Sequence, residues 1–249
     1  AFEIGDHVAG MGGVQDYSVS DGTDIFKVDT RLSPLENYLN TLGIAGLTAY
    51  SGLMFIGEPK AGDTVLVSGA AGSVGAHVGQ IAKIKGCRVI GVAGGPDKCA
   101  YLKDLGFDEA IDYKSEALYQ RVAETCPNGV DVFFDNVGGE ILDVALANMA
   151  MHGRIVICGA ISRYNAEAPL PGPSNYLALI PKRARMEGFL YFDYRNRWLE
   201  MMQAMAPWIA DGSLTCKNDI VSGGVAAFPS TLPKLFTGEN FGKLMIKLV

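Results

Sequence analysis

The sequence predicts an α/β fold built around a doubly wound parallel sheet. The first observation is that, from residue 64 onward, short apolar runs alternate with longer amphipathic stretches, as strands alternate with helices in such folds. The second is a glycine-rich turn between the first apolar run and the first amphipathic stretch. The third is composition: 249 residues, 49% hydrophobic and 19% charged, suit a soluble α/β enzyme of one large or two modest domains.

The glycine-rich turn lies in residues 63–75, which read DTVLVSGAAGSVG. Residues 64–68 are predicted to form a buried strand, and an amphipathic helix follows the glycines. The glycines are Gly69, Gly72 and Gly75. Strand, glycine turn and helix form the first unit of a Rossmann-type dinucleotide site, in which the helix N-terminus holds a pyrophosphate. The spacing is GxxGxxG rather than GxGxxG, so a purely structural turn is an alternative. A methyltransferase loop is another, although it would usually have an acidic residue where this strand ends in Ser68.

Further strands are predicted at residues 88–92, 109–113, 130–134 and 154–158, and helices between them at 97–105, 115–125 and 140–151. A helix is expected at 176–183, an extended segment at 186–192, a long helix at 194–211 and a last strand at 243–248. Right-handed crossovers place the carboxyl ends of the parallel strands along one edge, where ligands bind.

Both ends of the chain have a different pattern. Residues 1–36 are β-rich, with strands expected at 3–8 and 17–19, and residues 214–249 return to a β-like pattern. We therefore expect three parts: residues 1–36, a nucleotide-binding domain over 37–213, and a returning segment over 214–249. Residues 1–36 are too few to form a core alone, and the chain begins with Ala1, so we expect a fragment of a longer protein.

Charge, hydropathy and cysteine spacing exclude several classes of protein. The net charge is −6 without a basic block, so no nucleic-acid partner is expected. No apolar run reaches the roughly 18 residues that a membrane span needs. The five cysteines are odd in number and never spaced CxxC, which argues against a disulfide framework and a structural zinc site and favours a cytoplasmic location.

The end of the second predicted strand indicates which cofactor is bound. In NAD sites an acidic residue there binds the ribose 2′-hydroxyl, whereas this sequence has Ala93, Gly94 and Gly95. Lys98 follows within one helical turn and could pair with a 2′-phosphate. The sequence therefore predicts NADP(H), although a solvated surface role for Lys98 is the alternative.

Eight segments together resemble one family, the medium-chain dehydrogenase/reductase superfamily, and within it the zinc-independent NADP-dependent double-bond reductases. That branch includes leukotriene B4 dehydrogenase/prostaglandin reductase, plant alkenal reductases and bacterial curcumin reductases. The matching segments are GLTAY (46–50), AAGSVG (70–75), GGPDK (94–98), IDYK (111–114), FDNVGG (134–139), CGAISRYN (158–165), MEGF (186–189) and GENFGK (238–243).

The resemblance implies a Rossmann domain together with a GroES-like β domain, of which residues 1–36 and 214–249 would be the remnant. It also implies a homodimer. Zinc-dependent relatives place a cysteine near the start of the GLTAY helix, where this sequence has Ile44 and Ala45, so no catalytic metal is expected. Some prostaglandin reductases carry an active-site tyrosine before MEGF that is not matched here, which favours the curcumin-reductase type.

The resemblance also implies roles for individual residues. The pyrophosphate would be held by Gly72, Ser73, Val74 and Gly75. The 2′-phosphate and its ribose would meet Lys98 and Tyr113, while Asn136 would reach the phosphates or ribose. The nicotinamide half would be lined by Cys158, Gly159, Ala160, Ile161, Ser162 and Tyr164. Backbone contacts to the carboxamide would come from Phe189, Leu190 and Tyr191, and Asn240 would fold back onto the cofactor. Structural readings stay open for each: Tyr113 and Asn136 could end strands, Asn240 could serve a turn, and Cys158 is more readily an apolar filler.

The implied activity is the reduction of the C=C bond of α,β-unsaturated aldehydes or ketones, small-molecule enals and enones, with NADPH. Hydride would go to the β-carbon, and the resulting enolate would need a hydrogen-bond donor. Tyr164 is the first candidate for that donor and Tyr50 the second, with simple loop packing as the alternative for Tyr164. An NADPH-dependent quinone reductase, a non-catalytic NADP-binding module and a zinc alcohol dehydrogenase are the rival functions. His7, His77 and His152 are read as structural or surface residues.

Overall fold

The structure, a computed structural model, describes residues 2–23, 25–31, 33–165, 167 and 171–248. Within these residues the strands, in chain order, are β1 (Val8–Gly10), β2 (Ile25–Lys27), β3 (Thr64–Ser68), β4 (Arg88–Ala93), β5 (Glu109–Asp112), β6 (Val130–Asp135), β7 (Met149–Ile157), β8 (Arg185–Gly188), β9 (Asn218–Ser222) and β10 (Lys243–Lys247).

The α-helices of the same residues are α1 (Ile44–Ser51), α2 (Ser73–Ile84), α3 (Pro96–Asp104), α4 (Leu118–Thr125), α5 (Gly139–Ala147), α6 (Leu179–Lys182), α7 (Trp198–Ala210), α8 (Phe228–Thr231) and α9 (Lys234–Thr237). A π-helical turn, Gly52–Gly57, continues α1. Short 3₁₀ turns are Leu35–Leu39, Ile161–Arg163, Tyr176–Ala178, Tyr191–Arg197 and Val225–Ala227.

The central sheet has six parallel strands in the order β5-β4-β3-β6-β7-β8. The chain therefore starts in the middle, moves outward to β5, returns past β3 and continues to β8. This reversal between β3 and β6 is the switch point at which dinucleotides bind in doubly wound folds. The predicted α/β class with a Rossmann sheet is confirmed.

Two apolar layers hold the helices on the sheet. On one face, α1, α2 and α7 cover side chains such as Val65 and Val67, and on the other, α4 and α5 cover Leu66 and Phe133. All four of these strand side chains are fully buried. Alternate residues of one strand thus serve opposite layers, which explains why the strand reads as an unbroken apolar run.

Two segments differ from the sequence-based expectation. Residues 149–151 were expected to end a helix, yet they begin β7 because Asn148 leaves helical geometry and Met149 pairs with Val130. Residues 186–192 were expected to be extended, but the strand ends at Gly188 and a 3₁₀ turn begins at Tyr191. In both places strand pairing or a side-chain bond overrides local propensity, which for Met149, Ala150 and Met151 favours helix.

The chain ends form two further small sheets. β1 pairs antiparallel with β2, rather than at the predicted positions 3–8 and 17–19, and β9 pairs in parallel with β10. A cavity of about 1140 Å³ lies between these segments and α7, and its lining includes Phe26, Tyr38, Trp198 and Met245. No helix of the described residues is long and apolar enough to cross a membrane.

His77 joins the sheet domain to the segment that precedes α1. Its Nδ1–H donates to the carbonyl oxygen of Ser73 at 2.5 Å, so Nε2 accepts from the Thr41 hydroxyl at 2.9 Å. The bond from Thr41 requires the neutral ring, because Nε2 accepts only when it carries no proton. Burial lowers the pKa of His77 to about 4, against 6.5 for the free side chain.

This depressed pKa predicts a pH-dependent stability. The neutral ring contributes fully above pH 6.5, and its contribution is lost as the pH falls from 6.5 through 4, because the unfolded chain then binds the proton more readily. The displacement corresponds to about 3 kcal/mol of unfolding free energy. Urea denaturation at pH 7 and pH 4.5 should show a smaller pH dependence for His77→Gln than for the wild type.

The exposed His152 supplies the control, since His152→Asn should retain the wild-type pH dependence. An unchanged pH dependence in His77→Gln would contradict the role given to His77.

Candidate functional site

The site is the edge at which β3, β4, β5, β6 and β7 end. The turn after β3 depends on glycine: Gly69 has φ of +57°, and a Cβ added at Gly75 would lie 2.5 Å from the Gly69 carbonyl oxygen. Gly72 precedes α2, and no side chain of the described residues caps that helix. The first N–H groups of α2 are therefore available for an anion, which is the geometry that pyrophosphate binding needs.

The side chains in this turn have other partners. The Ser73 hydroxyl donates to Asn40 Oδ1 at 2.6 Å, and Asn40 Nδ2 donates to Asn218 Oδ1 at 2.8 Å. Val74 packs against the apolar core. Ser73 and Val74 can therefore serve a pyrophosphate through their backbone N–H groups, while the Ser73 hydroxyl ties the turn to β9.

The returning segment, residues 238–242, lies across the same turn. Gly242 forms an isolated parallel bridge with Gly72, and Asn240 Nδ2 donates to the Gly242 carbonyl at 3.2 Å. Lys98 Nζ donates to the carbonyl of Gly238 at 2.7 Å. The structure thus brings Asn240, Lys98 and the glycine turn together.

Tyr113 stands over the end of β4. A Cβ added at Gly94 would lie 2.9 Å from the Tyr113 ring and 3.1 Å from its hydroxyl, so the glycine is what lets the ring approach. Burial lowers the pKa of Lys98, which lies on the first turn of α3. A phenol therefore faces the position at which an NAD enzyme would carry an acid, and Lys98 follows on the next helix.

Asp135, at the end of β6, is a central residue that the sequence analysis did not single out. Its Oδ1 accepts from the Ser68 hydroxyl at 2.7 Å, from Val137 N–H at 3.0 Å and from Gly138 N–H at 2.9 Å. Burial raises the pKa of this carboxyl, and hydrogen bonds from Gly138 and Ser68 oppose that effect. The available sequence signal was an acidic residue directly ending an apolar strand.

Asn136 is held from the same point. Its backbone N–H donates to Ser68 Oγ at 2.8 Å and its Nδ2 donates to the Ser68 carbonyl at 2.7 Å. The ends of β3 and β6 are therefore joined through Asp135, the last residue of β6, and Asn136, which follows it. This places Asn136 beside the glycine turn, where a Cβ added at Gly69 would lie 3.5 Å from Asn136 Cβ.

The loop after β7 is hydrogen-bonded along the turn that follows β6. Cys158 N–H and Gly159 N–H donate to the Asp135 carbonyl at 2.9 and 3.1 Å. Ile161 N–H donates to the Asn136 carbonyl at 3.2 Å, and the Ser162 hydroxyl donates to the Val137 carbonyl at 2.6 Å. Burial raises the pKa of the Cys158 thiol to about 12, which keeps it neutral and supports its reading as a filler.

Tyr164 folds back over this loop. Ala160 N–H donates to the Tyr164 hydroxyl oxygen at 3.1 Å, and a Cβ added at Gly159 would lie 2.9 Å from that oxygen. The side chain is 62% exposed. Because a phenol both accepts and donates, the O–H proton is still available to an acceptor in the cleft.

The Phe189–Tyr191 segment lies next to this loop, after β8. The Phe189 ring packs edge-on against Phe134, with centroids 6.3 Å apart, and a Cβ added at Gly52 would lie 2.4 Å from it. Leu190 N–H donates to Asp193 Oδ2 at 3.1 Å, and the Tyr191 carbonyl accepts from Trp198 Nε1 at 3.2 Å. Those two backbone groups already have partners, and Gly52 is a further residue that sequence reasoning missed.

Tyr50 is not brought to this edge. Its ring centroid lies 5.9 Å from that of Phe55 and 6.3 Å from that of Trp208 in α7. This geometry favours Tyr164 over Tyr50 as the donor. Among the described residues no group of three or more His, Cys, Asp or Glu side chains is arranged to hold a metal ion.

Comparisons with known proteins agree with this geometry. Residues 73–207 match the family described as zinc-binding dehydrogenase. The chain is 44% identical over 248 residues to the 2-alkenal reductase (NADP(+)-dependent) of Nicotiana tabacum, covering 98% of this chain and 72% of that protein. It is 40% identical over 253 residues to the NADPH-dependent curcumin reductase of Escherichia coli, covering 99% and 73%.

Among solved structures, the crystal structure of CurA from Vibrio vulnificus in complex with NADPH has a TM-score of 0.88 and 41% identity. The alignment covers 94% of this chain and 71% of the CurA chain. The chain thus spans nearly three quarters of these relatives.

The position of Asp135 leads to a prediction about stability. Asp135→Ala leaves two N–H groups and a hydroxyl without their acceptor, so it should lower the unfolding free energy by about 3 kcal/mol. Asp131, at the other end of β6, accepts one bond from Thr64 N–H at 2.8 Å, and Asp131→Ala should cost about 1 kcal/mol. Urea denaturation of both variants measures the difference, and equal losses would contradict a central role for Asp135.

Proposed function

We propose, since this chain belongs to the zinc-binding dehydrogenase family of the medium-chain dehydrogenase/reductase superfamily, that it reduces the C=C bond of α,β-unsaturated aldehydes and ketones with NADPH. The observation that carries the proposal is the identity of 40–44%, over 98–99% of the chain, with relatives named for alkenal and curcumin reduction. The second support is a sheet edge whose glycines, lysine and tyrosines suit a phosphorylated dinucleotide.

The cofactor would lie along the edge in a defined order. The N–H groups at the start of α2 would hold the pyrophosphate, and Lys98 with Tyr113 would hold the 2′-phosphate. Asn136 and Asn240 would contact the central part, and the loop of residues 158–164 with Phe189 would line the nicotinamide half. Bound there, NADPH supplies the hydride that the β-carbon of the substrate receives.

The protein's own contribution is to stabilise charge on the substrate. As hydride reaches the β-carbon, negative charge develops on the carbonyl oxygen, and a donor aimed at that oxygen lowers the barrier. Tyr164 would provide that donor through its O–H, while Ala160 N–H fixes the position of the hydroxyl oxygen. A proton taken up from solvent at the α-carbon then completes the saturated product.

The cavity of about 1140 Å³ would receive the apolar part of the substrate. Its lining includes Tyr191, one of the residues expected to contact the nicotinamide carboxamide. Its lining also includes Leu42, Leu47 and Met202, which suit a hydrocarbon chain or ring.

The three-part domain division, with residues 1–36 and 214–249 belonging to a catalytic GroES-like domain, remains a proposal. It is supported by the position of both ends around one cavity. The absence of a catalytic zinc, supported by Ile44 and Ala45 at the start of α1, also stays a prediction. The homodimer and the cytoplasmic location likewise remain predictions.

A direct comparison of substrates tests the proposed reaction. NADPH oxidation by the full-length protein should be fast with a trans-2-alkenal and slow with a simple quinone. The quinone arm is included because a quinone oxidoreductase of Pseudomonas syringae shares this fold at 27% identity and a TM-score of 0.81. A preference for quinone would replace the proposal, and NADPH binding without turnover of either would indicate a non-catalytic module.

Tyr164→Phe tests the assignment of the donor. The loss of one hydrogen bond to the developing oxyanion should lower kcat for an enal by on the order of 10², with the Kd for NADPH little changed. Steady-state kinetics and nicotinamide fluorescence measure the two effects. Tyr176→Phe, at another exposed tyrosine, is the control and should leave both values as in the wild type. An unchanged kcat in Tyr164→Phe would remove Tyr164 from the mechanism.

A further inference from the structure

Lys114, at the start of the turn that follows β5, lies over the end of β4. A Cβ added at Gly94 would be 2.9 Å from Lys114 Cε, as close as it would be to the Tyr113 ring. The lysine stem therefore occupies the space that any side chain at position 94 would need. An acidic residue there, as in NAD sites, could not be accommodated without moving Lys114.

Lys98 lies on the first turn of α3, after β4, and Lys114 lies on the turn after β5, the strand that pairs with β4. Burial, and after it repulsion from Lys114, lower the pKa of Lys98. The ion pairs of the described residues include neither lysine. Two neighbouring cations without a direct carboxylate partner form a site for an anion of high charge.

The carboxylate of Asp112, the last residue of β5, joins the two turns. Its Oδ1 accepts from Gly95 N–H, before α3, at 2.8 Å and from Lys114 N–H at 3.1 Å. Its Oδ2 accepts from the Ser115 hydroxyl at 2.8 Å. These bonds, that of Gly95 foremost, lower the pKa of Asp112, so the group is an anion at neutral pH.

We propose that Lys114 is a second cation for the 2′-phosphate of the dinucleotide, and that Asp112 is the positioning residue that holds the turns carrying Lys98 and Lys114 together. The proposal rests on the proposed use of NADPH and deepens it. Discrimination between NADPH and NADH then depends on two lysines from neighbouring turns and on the carboxylate that fixes their spacing.

The first test measures binding without catalysis. The Kd values of NADPH and NADH are taken from nicotinamide fluorescence, and those of 2′,5′-ADP and 5′-AMP from calorimetry. Lys114→Ala should raise the Kd of NADPH and 2′,5′-ADP roughly tenfold, the effect of losing one charge-assisted hydrogen bond, with little change for NADH and 5′-AMP. Lys114→Arg should keep most of the affinity, and Lys60→Ala, at an exposed lysine elsewhere, should behave as the wild type.

The second test separates a positioning role from a simple charge effect. If Asp112 acted only through its charge, its removal would relieve repulsion and tighten the binding of 2′,5′-ADP. As a positioning residue it should behave otherwise: Asp112→Ala should weaken 2′,5′-ADP binding severalfold, whereas Asp112→Asn, which keeps an acceptor oxygen, should bind as well as the wild type or better. Ser115→Ala, which loses only one of the bonds, should give a smaller loss in the same direction and serves if Asp112→Ala does not fold.

The possible outcomes are distinct. Equal loss of NADPH and NADH affinity in Lys114→Ala, or no loss, would overturn the role of Lys114 while the proposed function stands. Unchanged or tighter 2′,5′-ADP binding in Asp112→Ala, or in Ser115→Ala where Asp112→Ala does not fold, would overturn the role of Asp112. A wild-type protein that binds NADH as well as NADPH would overturn this inference, and one that binds neither would overturn the proposed function as well.

Discussion

The site depends most on one buried carboxylate, that of Asp135. Its Oδ1 accepts hydrogen bonds from the Ser68 hydroxyl at the end of β3 and from two N–H groups of the turn after β6. Its backbone carbonyl accepts hydrogen bonds from two N–H groups of the loop after β7. Three strand ends are therefore fixed relative to each other by one residue. Since hydride transfer requires close and oriented partners, this rigidity is what a nicotinamide site needs from its scaffold.

The other end of the edge is organised in the same way. Asp112 ends β5 and joins two turns, as Asp135 ends β6 and joins two others. In the proposed site neither carboxylate contacts the cofactor. Each accepts hydrogen bonds from N–H and O–H groups of the loops that would contact it. Parallel strands leave their carboxyl ends as separate loops, and an acceptor at a strand end is a compact way to connect them.

The sheet and the glycine turn could be predicted because their signals are local: apolar runs, glycine positions and helix periodicity. The strand at Met149 could not, since a run of helix-forming residues is overridden by pairing with Val130. The position of Tyr50 against Trp208 of α7 could not be predicted either, because a helix pattern does not tell which neighbour covers each face. Lys114 was visible in the sequence, but its position over Gly94 follows only from how two turns meet.

The central claim is that hydride goes to the β-carbon of a conjugated carbonyl compound. The most direct measurement incubates the full-length protein with an α,β-unsaturated ketone and NADPH that carries deuterium at C4 of the nicotinamide, and locates the label in the product by NMR. The account predicts deuterium on the β-carbon of a saturated ketone. Deuterium on the carbonyl carbon of an allylic alcohol would contradict it.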